Sequence, residues 1–167
     1  MLARDGVFTI DADSVGHEVL LSDGPAFAPV SGRWPDVVVG GEIDRSLLAA
    51  VVFADRRELD ALEAITHPLI VAGIEARAMG VEGVVVVEVP IIRLDLGDDW
   101  RWIVVDSTDE ERLQRAMNRG MTERDARARL QAQPSRAQWL ARADLVVPNH
   151  GSIEDLASTT RALVPNL

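Results

Sequence analysis

Val84–Val89 reads VVVVEV, five valines interrupted by one carboxylate. A run so rich in β-branched residues suits a strand buried on both faces, as in a parallel sheet covered by helices. Trp102–Asp106 (WIVVD) is a second such run, and Val7–Ile10 and Leu145–Val147 are shorter ones. Parallel neighbours need crossover connections, and helical patterns lie between these runs. Ser14–Leu21 is expected to be helical and to stop at the turn signal Ser22-Asp23-Gly24-Pro25. Asp44 opens a helix through Phe53, and Asp55 caps a longer one that Pro68 should kink or restart. Thr108 with Glu111 forms a capping-box pattern for a helix to about Asn118. Arg-rich helices follow near residues 122–132 and 136–142, and Ser152 with Asp155 starts the last. The expectation is an α/β fold with a parallel sheet, in one domain over residues 1–167, since no repeat or linker divides the chain.

Composition excludes several chemistries. Cys is absent, so disulfides, thiolate catalysis and Cys-ligated zinc are out. All 17 basic residues are Arg, which removes Schiff-base lysines and a phosphate-binding lysine. The net charge of −10 opposes a nucleic acid partner. No apolar run is long enough to span a membrane, and a cytoplasmic location is expected. The three histidines, His17, His67 and His150, are too scattered in sequence to make a metal site, so no metal ligands are assigned.

In parallel sheets ligands bind beyond the carboxyl ends of the strands. Three strand ends carry informative residues: Asp11-Ala12-Asp13, Glu88-Val89-Pro90 and Pro148-Asn149. Either Asp11 or Asp13 can cap the following helix, and the other carboxylate could then accept a substrate proton or orient Mg²⁺. The segment with Arg112, Arg115, Arg119, Arg124, Arg127 and Arg129 reads either as a solvated face or as a lid that brings guanidinium groups to phosphates. Arg115 and Arg119, four residues apart, share a helix face. Arg142 could pair with Asp144. Asn149 and the backbone around it could meet a base or a phosphate.

In order and spacing these pieces resemble the dephospho-coenzyme A kinases. The resemblance starts at Ile10-Asp11-Ala12-Asp13 with Glu18-Val19 and continues through Asp23-Gly24-Pro25-Ala26 and Glu42-Ile43-Asp44-Arg45. It runs on through His67-Pro68 and Val89-Pro90-Ile91-Ile92, then Arg115, Arg119, Arg129-Leu130, Gln133, Ala143-Asp144, Asn149 and Gly151. The resemblance implies a three-layer fold like that of the P-loop kinases, with a helical lid at about residues 108–142. It implies transfer of the γ-phosphoryl of ATP, with Mg²⁺, to the 3′-hydroxyl of dephospho-coenzyme A, the last step of coenzyme A synthesis. By the same resemblance Asp13 is the carboxylate that orients or deprotonates the acceptor hydroxyl. Arg119 is the catalytic lid arginine, with Arg115 beside it, and Asn149 is a contact near adenine. Asp11, Arg45, His67 and Gln133 fall at positions tied to substrate binding or packing.

Three departures accompany it. The family carries a strand and a loop of the form G-x-x-x-x-G-K-[ST] in roughly twenty residues ahead of the Asp-Ala-Asp element, and no such run occurs here. Arg93-Leu94 and Arg33-Trp34 replace the family's usual Glu and Phe-Gly. The absent strand is central in the family, so a gap is expected between the Val84–Val89 and Trp102–Asp106 strands. Such a gap could close, take a partner chain or a second copy, or reflect a shortened reading of a longer protein, the favoured expectation. The chain alone is expected to be inactive. The alternative is a non-catalytic relative that binds nucleotide or coenzyme A or docks on a partner.

Overall fold

The computed structural model describes residues 6–90 and 92–163. Ile91 of the Val89-Pro90-Ile91-Ile92 element and the chain's outermost residues lie outside the described set. The described residues form two compact units, one of Val7–Asp95 and one from Leu96 onward with Gly6.

In the first unit, strand β1 (Phe8–Asp11) runs parallel to β4 (Val85–Glu88), with Ile10 opposite Val87 and Asp11 opposite Glu88. Between them come helix α1 (Ala12–Val19), helix α2 (Phe27–Arg33), strands β2 (Val38–Val39) and β3 (Glu42–Ile43), helix α3 (Arg45–Ala54) and helix α4 (Arg56–Ala78). The apolar face of α1 is Ala12, Val15 and Val19, and it packs on α4. Gly73 makes the close approach possible, since a Cβ there would meet Val15 Cγ1 at 2.8 Å. Ile74 and Val30 are completely buried. Gly24 is equally constrained: a Cβ there would lie 2.5 Å from the carbonyl oxygens of Glu18 and Val19, which the backbone cannot relieve.

Pro68 neither ends nor restarts α4, which runs unbroken from Arg56 to Ala78. Pro68 removes one N–H, and the carbonyl left without its helical donor belongs to Ala64. Both residues are exposed, so water can satisfy that carbonyl.

Helix α2 has no side-chain N-cap and carries Pro29 and Gly32, so it gives no local helical signal. Tertiary contacts hold it. Glu58 of α4 accepts from Trp34 Nε1 at 2.8 Å and pairs with Arg33 at 3.0 Å, and the Arg33 guanidinium lies over the Trp34 ring. The Arg33-Trp34 pair is therefore a tie between α2 and α4. Gly40 and Gly41 both have positive φ, the requirement of a tight two-residue turn between β2 and β3.

In the second unit, β5 (Ile103–Asp106) runs parallel to β6 (Leu145–Pro148), with Val105 opposite Val147 and Asp106 opposite Pro148. Helices α5 (Asp109–Asn118), α6 (Glu123–Gln131) and α7 (Arg136–Arg142) lie between them in sequence, and α8 (Ile153–Leu163) follows. The capping box expected at Thr108 and Glu111 is present, and Ser135 with Gln138 makes a second one on α7.

The strands are less covered than a buried parallel sheet requires. Val85, Val86 and Val87 are half-buried, and Val105 is 55% exposed. The reason lies in the ladders: among the described residues β4 pairs with β1 and β5 with β6, so each has a strand on one side only. Among the described residues no helix is long and apolar enough to cross a membrane.

Candidate functional site

The two aspartates after β1 have separate tasks. Asp11 is the N-cap of α1: its Oδ1 accepts from the N–H of Asp13 at 2.9 Å and of Ser14 at 3.4 Å. The Asp13 carboxylate is left outside the cap, is 62% exposed, and lies 3.3 Å from His17 Nε2. Asp13 also lines a cleft of about 50 Å³ with Gly16, His67, Val89, Pro90 and Leu94. This cleft sits at the carboxyl ends of β1 and β4, where an α/β sheet offers a binding position. Burial pushes the His67 imidazole below its ordinary value; Glu63 opposes that shift and Arg93 adds to it. At neutral pH the cleft thus presents one carboxylate and one neutral imidazole.

Arg93 is tied to α4. Its Nη2 donates to Asp60 Oδ1 at 2.9 Å and lies 2.9 Å from Glu63 Oε2. Arg45 is exposed in the first turn of α3 and does not line the cleft.

The second unit has a polar cluster where β5 and β6 end. Asp106 is buried and takes a two-point contact from Arg136, Nε to Oδ1 at 2.7 Å and Nη2 to Oδ2 at 2.6 Å. Arg115 donates from Nη1 to Ser107 Oγ at 2.7 Å and from Nη2 to the Asn149 carbonyl at 2.6 Å. Ser107 Oγ donates to the same carbonyl at 3.0 Å, and the Asn149 N–H donates to the Asp106 carbonyl at 2.8 Å. The Asn149 backbone is therefore fixed by three contacts. Glu111 accepts from Thr108 N and meets His150 Nδ1 at 2.9 Å. Gln133 accepts from Arg112 at 2.6 Å.

Arg119 differs from these arginines. It ends α5, is exposed, and its guanidinium has no partner among the described residues. Arg115, on the other hand, is turned inward on Ser107 and Asn149. Asp144 accepts from the Trp102 N–H at 2.7 Å, and the Arg142 guanidinium stacks over the Trp102 ring at 4.3 Å. The structure thus gathers Asp13 and His67 in one unit, and Arg115 and Asn149 in the other. Sequence reasoning missed Asp106, Ser107 and Arg136. The available signal was a carboxylate at the end of an apolar strand, the position already used to single out Asp11 and Glu88.

The Arg136 guanidinium holds the Asp106 carboxyl below the usual carboxylate range. A carboxyl lowered by folding stabilises the folded state above its unfolded value, about 3.9, and that contribution is lost as pH falls through the folded value. Arg136→Gln should therefore lower the melting temperature at pH 7, and the deficit should shrink as pH drops below about 4. Melting curves across that range check it, and a deficit that does not change with pH would contradict the charge pairing.

Among the described residues no group of three or more His, Asp or Glu could hold a metal ion. Every described helix of eight or more residues has its first turn occupied by its own side chain: Asp11, Asp44, Asp55, Thr108, Thr122 and the Ser152–Asp155 pair. Each of these caps accepts from one or two of the four N–H groups that a helix start leaves free.

Comparison with known proteins places this geometry. The family model described as dephospho-CoA kinase matches residues 1–155. The dephospho-CoA kinase of Thermobifida fusca is 39% identical over 162 residues, covering 93% of this chain and 81% of that protein. One from Corynebacterium glutamicum is 34% identical over 178 residues, covering 100% and 90%. A crystal structure from Thermus thermophilus superposes with a TM-score of 0.77 at 30% identity, covering 99% of this chain and 87% of that one. A dephospho-CoA kinase structure from Campylobacter jejuni gives 0.70 at 24% identity, which speaks to the α/β fold alone. With a family model over most of its length and relatives above 30% identity matched over more than four-fifths of their own length, the chain belongs to the dephospho-CoA kinase family.

Proposed function

We propose that this chain carries the acceptor side of dephospho-coenzyme A phosphorylation. In that reaction the acceptor 3′-hydroxyl loses its proton to Asp13. Its oxygen bonds to the γ-phosphorus of ATP, and the bond from that phosphorus to the β-bridging oxygen breaks, releasing ADP. The supporting observation is the Asp13 carboxylate itself: Asp11 takes the capping task, so Asp13 stays outside the cap, exposed beside His17 at the edge of a cleft walled by His67, Pro90 and Leu94. Arg119 is the lid guanidinium free to meet transferring phosphate, within a lid of about residues 108–142. Arg115 acts there through Asn149, whose side chain contacts adenine while its backbone is held. Asp11, Arg45, His67 and Gln133 serve acceptor binding and its scaffold. Mg²⁺ belongs to the family reaction; among the described residues no group of three or more His, Asp or Glu could hold a metal ion, so it would be held largely by the substrate phosphates and water.

We also propose that these 167 residues alone do not complete the transfer. They contain no G-x-x-x-x-G-K-[ST] run and no Lys, the elements that cradle and neutralise a triphosphate in that class of kinase. Those observations also favour a second reading, a relative that binds dephospho-coenzyme A or nucleotide without catalysis. Among the described residues β4 and β5 each pair with a strand on one side only, and self-association by strand addition there belongs to either reading.

Calorimetric titration with dephospho-coenzyme A tests the first reading. We expect binding with Kd below about 1 mM, the upper end of ordinary enzyme–substrate affinity. Heats no different from dilution would remove the acceptor-side assignment.

A further inference from the structure

We propose that Arg93 is a positioning residue that sets the charge and the wall of the acceptor cleft, by pairing with Glu63 one turn from His67 and seating Leu94. This rests on the cleft being the acceptor site.

The geometry starts on α4. Asp60 and Glu63 are three residues apart, so two like charges share one face. A single nitrogen, Arg93 Nη2, lies 2.9 Å from an oxygen of each, and Arg56 adds a second contact to Asp60 at 3.0 Å. Two carboxylates and two guanidinium groups make a closed set. Glu63 is the enclosed member, with its side chain 18% exposed. One turn further along α4 is His67, which lines the cleft.

Arg93 reaches α4 from the segment after β4, so the pairing spans thirty residues and anchors that segment. The next residue, Leu94, is 2% exposed and forms a wall of the cleft with Pro90 and His67. One side chain therefore fixes a wall position and occupies the carboxylate nearest the imidazole along the helix.

The charged groups around His67 bear on this. Glu63 and Asp60 lie on α4, Arg93 comes from the segment after β4, and Asp13 with its neighbour His17 comes from α1. On the other elements packed against α4, Arg33 is bound to Glu58, and Arg45 is the single charge of α3 and is exposed. With Arg93 in place its positive charge offsets the pull of Glu63 on His67. Without it, Glu63 would favour a protonated His67, and a cation in the cleft would compete for the Asp13 carboxylate that the acceptor hydroxyl needs.

The test is proton NMR titration of the histidines in the 167-residue chain, with the His67 signal assigned by its loss in His67→Gln. Arg93→Ala should move the His67 midpoint upward, and Arg93→Lys should return it toward the wild-type value. Glu63→Gln should move it downward and serves if Arg93→Ala fails to fold. Dephospho-coenzyme A affinity should fall roughly tenfold in Arg93→Ala at pH 6.5 and less at pH 8, and a purely structural loss would not vary with pH in this way. A folded Arg93→Ala with an unmoved or lowered midpoint overturns the proposal, as does an unmoved midpoint in Glu63→Gln. If the wild-type chain binds no dephospho-coenzyme A, the acceptor reading fails while the titration still decides the role of Arg93.

Discussion

Ile74→Ala should destabilise the unit of Val7–Asp95 by about 2–5 kcal/mol, the range for emptying a fully enclosed aliphatic site. Ile74 has no exposed surface and lies on α4 one residue beyond Gly73, against which Val15 of α1 packs. Its neighbours cannot close the void cheaply, because Val15 already fills the groove that Gly73 leaves. Chemical denaturation should show a lower midpoint at unchanged slope. The functional readout should follow, since α4 carries Asp60, Glu63 and His67, and α1 carries Asp13. A loss below about 1 kcal/mol would mean that the α1–α4 contact is looser than described.

Asp13→Asn should have the larger effect on chemistry. In a form of the chain joined to a strand and loop of the G-x-x-x-x-G-K-[ST] type, removing this base should lower kcat by about 10²–10⁴-fold. KM for dephospho-coenzyme A should change far less, because the amide can still hydrogen-bond the hydroxyl. The preceding carboxylate provides the contrast. Asp11→Asn keeps an N-capping oxygen and should leave kcat close to wild type. Equal losses from both substitutions would show that the Asp-Ala-Asp element acts as a unit and that capping does not separate its two carboxylates.

Much of this was legible in the sequence where the signal is local. Thr108 and Glu111, Asp44 and Asp55, and the β-branched runs announce caps and strands within a few residues. The Gly40-Gly41 turn was equally local and was overlooked, although both glycines take the positive φ that such a turn needs. Elsewhere the information is not local. Nothing near α2 predicts a helix, because Glu58, some two dozen residues later, holds its end. Arg93 reads as an exposed departure until Asp60 and Glu63 are brought to it by the fold. Pro68 looked like a break because sequence does not tell which side of α4 faces water. The strands looked buried on both faces because a valine run reports what a strand could bury, while its neighbours decide what it does bury.

For the site, Asp13 could be separated from Asp11 only by cap geometry. Arg115 and Arg119 were indistinguishable as a helical pair until one was found bound to Ser107 and Asn149 and the other free. The Asp106–Arg136 contact joins the end of β5 to the first residue of α7, and no spacing rule connects them.

The central claim is that these 167 residues hold the acceptor side of a phosphotransferase without a cradle for the triphosphate. ADP release, followed by a coupled assay with ATP, Mg²⁺ and dephospho-coenzyme A, tests it most directly. The expected rate with this chain is that of the enzyme-free control. Sustained turnover well above the control, abolished by Asp13→Asn, would mean that the chain binds ATP productively by other residues and would contradict the claim.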